Sequence, residues 1–254
     1  MRRITLWLTI LSVTLAAFAG AAWAQPPSAE QVSFTTSDGV TISATLHHPS
    51  PGTRVPCVIL LHQHKSDRSS WAQLIPMLLQ NNYAALAIDL RGHGASTNFG
   101  GRTRTFADFT DADYAAMIND MRAAANYLHN RKDINGGRLG LIGASIGANL
   151  ALQYASEDRT VRTVIMLSPG LDYRSLEVVP YLDAYDRRAL FMIVSQGDAY
   201  SYNSCLEIKK EATIASPLKL KVYDGDVHGT GLLAAHKGLD AIIIAWLLNH
   251  LVNS

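Results

Sequence analysis

The sequence predicts an α/β fold, a mostly parallel sheet with helices on both faces. Three observations predict it. Short apolar runs at residues 58–61, 84–89 and 161–167 show no alternation, as expected of strands covered on both faces. Amphipathic stretches, the strongest at residues 111–129, carry helical spacing. The two kinds of segment largely alternate along the chain, and strands separated by helices pair in parallel through right-handed crossovers.

Taken in order, residues 32–36 and 40–47 flank Ser37-Asp38-Gly39, and the Asp-Gly pair suits a tight hairpin that adds antiparallel strands at one edge. A loop with Pro49, Gly52 and Pro56 leads to the strand 58–61. Helix 70–80 ends at Asn81-Asn82, and strand 84–89 follows. A polar, Gly-rich loop at residues 91–105 precedes helix 111–129. Then come strand 139–143, helix 146–156 and strand 161–167. The chain closes with strand 190–195, helix 202–213, strand 218–223 and an amphipathic helix at 232–251. In such sheets ligands bind beyond the carboxyl ends of the strands, so the residues just after each strand are the candidates for function.

A chain of 254 residues with 48% hydrophobic content supports one large domain with a full core and excludes general disorder. Twenty-two basic against 21 acidic residues leave +1, so no basic field points to nucleic acid. Cys57 and Cys205 are too few for a disulfide scaffold or a four-cysteine zinc site. One opens an apolar strand and the other lies on a distant helix, so both are expected as free thiols.

Arg2 and Arg3 precede an apolar run from Ile4 to Ala22, and Ala22-Trp23-Ala24 is a small-x-small site. This order describes a cleaved signal peptide over residues 1–24, leaving a single domain at 25–254 that is exported, periplasmic or secreted, without stable membrane insertion. A retained anchor is the alternative, because the run approaches spanning length.

The strand 139–143 leads into Gly143-Ala144-Ser145-Ile146-Gly147, a G-x-S-x-G sequence before a helix. The serine of such a strand-to-helix turn has strained backbone angles, and side chains at the glycines would collide with neighbouring elements. Its hydroxyl is pushed out of the sheet at a helix N-terminus, where the dipole favours a developing anion. A serine needs a base. His228 follows the strand 218–223, and Asp198 follows the strand 190–195. Ser145, Asp198 and His228 therefore stand in the order nucleophile, acid, base, each beyond a different strand. Asp224, Asp226 and Asp172 are rival acids. The Ile146 N–H, directly after the serine, is the first expected oxyanion donor. His62 and His64 are two residues apart, and no helical carboxylate–histidine motif accompanies them, so neither metal nor cofactor is expected.

Leu61-His62, Asp89-Leu90-Arg91-Gly92-His93-Gly94-Ala95-Ser96, the serine pentapeptide, Gly197-Asp198 and His228 recur in this order as in the α/β-hydrolase superfamily. Over nearly all of residues 25–254 the chain resembles the small dienelactone hydrolase-like and prolyl-oligopeptidase-like serine hydrolases. The resemblance implies the α/β-hydrolase fold, with a mostly parallel eight-stranded sheet and no large cap domain. It implies that His64 supplies the second oxyanion N–H, that His62 is structural, and that Asp89 and His93 are architectural. Gln63 replaces the usual glycine and is expected in the substrate pocket, narrowing it or hydrogen-bonding a substrate. Dienelactone hydrolases use cysteine where this chain has Ser145. The segment 168–189, with Tyr173, Tyr181 and Tyr185, is too short for a cap domain, and the loop 91–105 with Arg102 and Arg104 is expected as the opposite wall.

The resulting expectation is an exported serine hydrolase acting on small-molecule carboxylic esters. The alternatives are a peptidase of prolyl-oligopeptidase type, or a binding protein that kept the fold and lost activity.

Overall fold

A computed structural model describes residues 27–252. The expected leader at residues 1–24 lies outside them. Eight long strands build the sheet: β1 (Ser28–Thr35), β2 (Val40–His48), β3 (Val55–Leu61), β4 (Ala84–Ile88), β5 (Ile134–Ala144), β6 (Val161–Leu167), β7 (Ala189–Ser195) and β8 (Leu218–Tyr223). Their spatial order is β1-β2-β4-β3-β5-β6-β7-β8. β1–β2 and β2–β4 pair antiparallel, and every other neighbouring pair is parallel. These eight form the expected mostly parallel arrangement, two further short strands bring the sheet to ten, and among the described residues no cap domain covers it.

Eight α-helical segments accompany it: α1 (Ile75–Gln80), α2 (Asp111–Ala115), α3 (Ile118–His129), α4 (Ile146–Glu157), α5 (Leu182–Tyr185), α6 (Ala199–Glu211), α7 (Gly231–Ala235) and α8 (Leu239–Leu247). Side chains alternate across a strand. Cys57, Ile59 and Leu61 of β3 accordingly enter one core, with α3, α4 and α6. Val58 and Leu60 enter the other, with α1, α7 and α8. Both cysteines are free and buried, and burial pushes the Cys57 thiol up to about 12.

Three of the expected helices are shorter or divided. The segment 70–80 forms a 3₁₀ turn (Arg68–Trp71) and then α1, which restarts with Pro76 in its first turn. Proline disfavours the helical conformation in the residue before it and tolerates only the first turn. The segment 111–129 breaks into α2 and α3 around Ala116 and Met117. The terminal segment breaks at Gly238, whose φ is +86°.

The loop 91–105 adds to the sheet instead of walling the site. Asn98–Phe99 and Arg102–Thr103 form a small ribbon, and the first of these strands pairs with Val40 and Thr41 of β2. Arg104 is tied to Asp113 at 2.9 Å and lies over the Phe99 and Phe109 rings. Asp89 accepts hydrogen bonds from the Arg68 N–H, the Arg68 guanidinium and the Ala95 N–H, each at 2.8 Å, which is an architectural role.

Candidate active site

Ser145 stands at the junction of β5 and α4 with φ +54° and ψ −119°. That conformation is strained for a residue with a side chain and persists only where the surroundings enforce it. Its N–H donates to Leu167 O at 2.9 Å, pinning the turn to the end of β6. Its two glycines are required by contact. A Cβ at Gly143 would fall on the Gly147 carbonyl, and one at Gly147 would fall on the Leu61 carbonyl and lie 2.7 Å from that of His62. The Ile146 N–H lies in the first turn of α4 and has no intrahelical acceptor.

His228 lies in the loop after β8, and its Nδ1 is 2.7 Å from Asp198 Oδ2. The rivals Asp172, Asp224 and Asp226 make no such contact. Three bonds hold that loop. Gly197 N–H donates to Gly225 O at 2.7 Å, Gly229 N–H to Ser168 Oγ at 3.1 Å, and Thr230 N–H to Gln63 Oε1 at 3.2 Å. Burial works to raise the Asp198 carboxyl. Hydrogen bonds from His228, Ser201 and Ser168, with the charge of His228, outweigh burial and hold it below the ordinary aspartate value. Ser145 Oγ makes no hydrogen bond to His228 among the described residues. Such bonds are often long in free enzymes and tighten when substrate binds.

Sequence reasoning missed Ser168 and Ser201 as neighbours of the site, and named Tyr173 only as an aromatic of the segment 168–189. Ser168, with φ +50°, braces both Asp198 and the histidine loop. Ser201 shares a hydrogen bond of 2.8 Å with the Tyr173 hydroxyl. Tyr173 faces His228 edge-on, with centroids 6.3 Å apart. Burial, with the Asp198 charge, pushes the Tyr173 hydroxyl up to about 12 against the Ser201 and Ser145 hydroxyls. Tyr173 sits on a small hairpin, Asp172–Tyr173 paired with Leu176–Glu177. Helix α4 fastens this hairpin. Asn149 Nδ2 donates to Gly170 O at 3.0 Å and Leu176 O at 2.7 Å, and Gln153 Nε2 donates to Glu177 O at 2.9 Å. Tyr185 belongs to the core, where its hydroxyl donates to Ala189 O at 2.6 Å.

His62 Nδ1 donates to Gln63 O at 2.8 Å, and its Nε2 accepts from the Leu90 N–H at 3.0 Å. Burial holds its pKa down at about 3, so it is a neutral structural imidazole. His64 lies beside the Phe106 and Tyr114 rings, with Nε2 3.1 Å from the Tyr114 hydroxyl. Burial, then the positive side of His93, Arg174 and Lys65, holds its pKa at about 4. Gln63 Oε1, expected to face substrate, instead accepts from the Thr230 N–H and, at 2.9 Å, from Thr230 Oγ1.

The chain is similar over 156 residues, at 29% identity, to the uncharacterized protein YfhR of Escherichia coli K12. That match covers 59% of this chain and 51% of the relative, so the chain spans about half the length of the curated relatives it matches first. It is 25% identical over 233 residues to the uncharacterized protein Rv2307c of Mycobacterium tuberculosis, covering 85% and 78% of the two chains. The Pyrococcus furiosus esterase Pf2001 shares the fold with a TM-score of 0.74 at 21% identity, over 91% of this chain and 99% of that one. A dienelactone hydrolase from Anabaena variabilis does so with a TM-score of 0.68 at 18% identity, over 89% and 100%. The family model described as serine aminopeptidase, S33, matches residues 53–196, which hold the Ser145 turn and end before Asp198 and His228. With its sheet, its G-x-S-x-G turn and this match, the chain has the α/β-hydrolase fold and belongs to the family described as serine aminopeptidase, S33.

Proposed function

We propose that the protein hydrolyses small carboxylic esters through Ser145, His228 and Asp198. The observation that carries this reading is the 2.7 Å contact of Asp198 with His228 Nδ1, beyond the sheet end where the strained Ser145 turn projects. In the first step His228 Nε2 takes the Ser145 proton as Oγ bonds to the ester carbonyl carbon. The N–H groups of Ile146 and His64 hold the oxyanion. The carbon–oxygen bond to the alcohol breaks, and His228 returns the proton to the departing oxygen. Water, deprotonated by His228, then cleaves the acyl-enzyme and releases the acid and free Ser145. Asp198 fixes the imidazole tautomer and stabilises the imidazolium without taking its proton.

The family description favours a second reading, cleavage of aminoacyl amides. An aminopeptidase must hold an α-ammonium group, which calls for a carboxylate near the nucleophile. The cavity beside His64 is instead lined by Lys65 and Arg174, which favours the ester reading. Export remains part of the proposal and rests on the pattern of residues 1–24; cell fractionation tests it.

The deciding experiment pairs a fluorophosphonate probe with nitrophenyl esters and aminoacyl nitroanilides. The wild type is expected to label and to turn over esters. Ser145→Ala should lose both, with turnover falling about 10⁴-fold or more and circular dichroism unchanged. Near-normal turnover in that variant removes the mechanism, and faster cleavage of the anilides installs the peptidase reading.

A further inference from the structure

A cavity of about 420 Å³ opens between the loop after β3 and the Tyr173 hairpin, lined by His64, Lys65, Phe106, Phe109, Tyr114 and Arg174. These two segments flank Ser145. The His62 carbonyl lies against Gly147, and Tyr173, whose hydroxyl feels the Ser145 hydroxyl, directly precedes Arg174. The wall is aromatic and the rim is cationic. Among the described residues neither Lys65 nor Arg174 has a carboxylate partner, whereas Arg104 nearby is occupied by Asp113. The Arg174 guanidinium lies over the Tyr114 ring, 5.7 Å from its centroid, and both residues line the cavity. The opposing charges on that side belong to Asp111 and Asp113, which sit on α2 near Tyr114. The second of these is neutralised by Arg104.

The backbone at both cations is unusual. Arg174 and Ser175 occupy the two turn positions of the hairpin with φ +54° and +66°, and Lys65 has φ +61°. Two-residue hairpin turns of this kind favour glycine or asparagine, which enter the left-handed region at little cost. Strain of this sort gathers at functional sites, and here it presents two long cationic side chains to one cavity.

We propose that this cavity is the acyl-binding site and that Lys65 and Arg174 hold a carboxylate at the far end of the acyl group. The preferred substrates are then half-esters of dicarboxylic acids with a flat or aromatic spacer lying against Phe106 and Tyr114. The distal carboxylate is a spectator: it is neither made nor broken, and the bonds that change are those already described at Ser145. The inference rests on the ester-hydrolase reading and adds the substrate class to it.

Two probes test it, 4-nitrophenyl benzoate and mono(4-nitrophenyl) terephthalate, which share a ring and a leaving group and differ by one distant carboxylate. The wild type should show the higher kcat/KM for the anionic ester, and added salt should erode that preference. In Lys65→Gln with Arg174→Gln the ratio of anionic to neutral kcat/KM should fall about tenfold, as expected when charge-assisted contacts are lost. Arg174→Gly removes the charge while relaxing the turn, so it should lower the ratio without lowering the melting temperature. Equal rates for the two esters in the wild type, or an unchanged ratio in the double variant, overturn the proposal. Calorimetric titration with terephthalate reads the anion site without turnover. Binding that weakens in the double variant with no hydrolysis of either ester keeps the site and removes the ester reading. Absence of terephthalate binding to the wild type removes the site.

Discussion

Gln63 Oε1 accepts two hydrogen bonds from Thr230, one from the N–H at 3.2 Å and one from Oγ1 at 2.9 Å. The residues lie 167 positions apart, and the bond joins the loop after β3 to the loop that carries His228 two residues earlier. The glutamine is thus a strut between the expected oxyanion segment and the histidine. A glycine at the same place has no side chain with which to make that link.

Gln63→Ala should therefore slow every ester by a similar factor. Losing a neutral hydrogen bond costs about 0.5–1.5 kcal/mol, roughly twofold to tenfold in kcat/KM for each of the two bonds if the whole cost falls on the histidine loop. The check is kcat/KM for a small and a bulky acyl ester, with Thr230→Ala as the partner variant in a double-mutant cycle. A loss confined to one ester would return Gln63 to the substrate pocket.

Asp198→Asn should cripple turnover, whereas Asp226→Asn should leave it within a few-fold. Among the described residues only Asp198 reaches His228 Nδ1; an amide there either donates to Nδ1, which enforces the wrong tautomer, or accepts as a neutral oxygen, which stabilises the imidazolium less. A loss of up to about 10⁴-fold in kcat is the scale of such a change. Steady-state kinetics on both variants decide it, and a more severe Asp226→Asn effect would mean that the histidine loop rearranges during turnover.

The order of Ser145, Asp198 and His228 was legible because each follows an apolar run short enough to be read as a strand. Asp198 was preferred to Asp172, Asp224 and Asp226 from its place after its own strand, but the contact itself depends on how the loops after β7 and β8 meet. That meeting is made by Gly197 and Gly225 across 28 positions. Tyr173 and Arg174 were legible only as loop residues. Their hairpin lacks the glycine or asparagine that marks a tight turn, and Asn149 and Gln153 anchor it through contacts more than 20 residues away. The long helices read at 111–129 and 232–251 were correct in type and too continuous. Periodicity survives a short break, and only the backbone at Ala116–Met117 and Gly238 shows the interruption.

Gly147→Ala provides a test with two opposite expectations. Alanine is the better helix former by about 1 kcal/mol, so propensity alone predicts stabilisation. The structure predicts the reverse. The new methyl would meet the Leu61 and His62 carbonyls, which belong to the backbone at the end of β3 and cannot swing aside. Overpacking of this kind costs roughly 1–3 kcal/mol. Urea denaturation of the two proteins gives the sign, and a more stable variant would mean that α4 can move away from β3.

Acid lability is the last expectation, and His62 supplies its clearest part. The buried ring, with both nitrogens engaged, has its pKa held at about 3 against an ordinary value of 6.5. Between those values the unfolded chain binds a proton at this position and the folded chain does not. Stability from His62 is therefore complete above pH 6.5 and is lost as pH falls toward 3, with a limiting slope of about 1.4 kcal/mol per pH unit. From pH 7 to pH 5 this amounts to about 2 kcal/mol. His64 adds loss in the same direction, because burial and its cationic neighbours also depress it. His62→Asn keeps a donor near Gln63 O and removes the titration. The variant should be less stable than the wild type at pH 7, yet lose about 2 kcal/mol less on acidification to pH 5. Urea midpoints at the two pH values measure the difference. Parallel losses in both proteins would show that His62 is protonated in the folded state and that another group governs the acid limb.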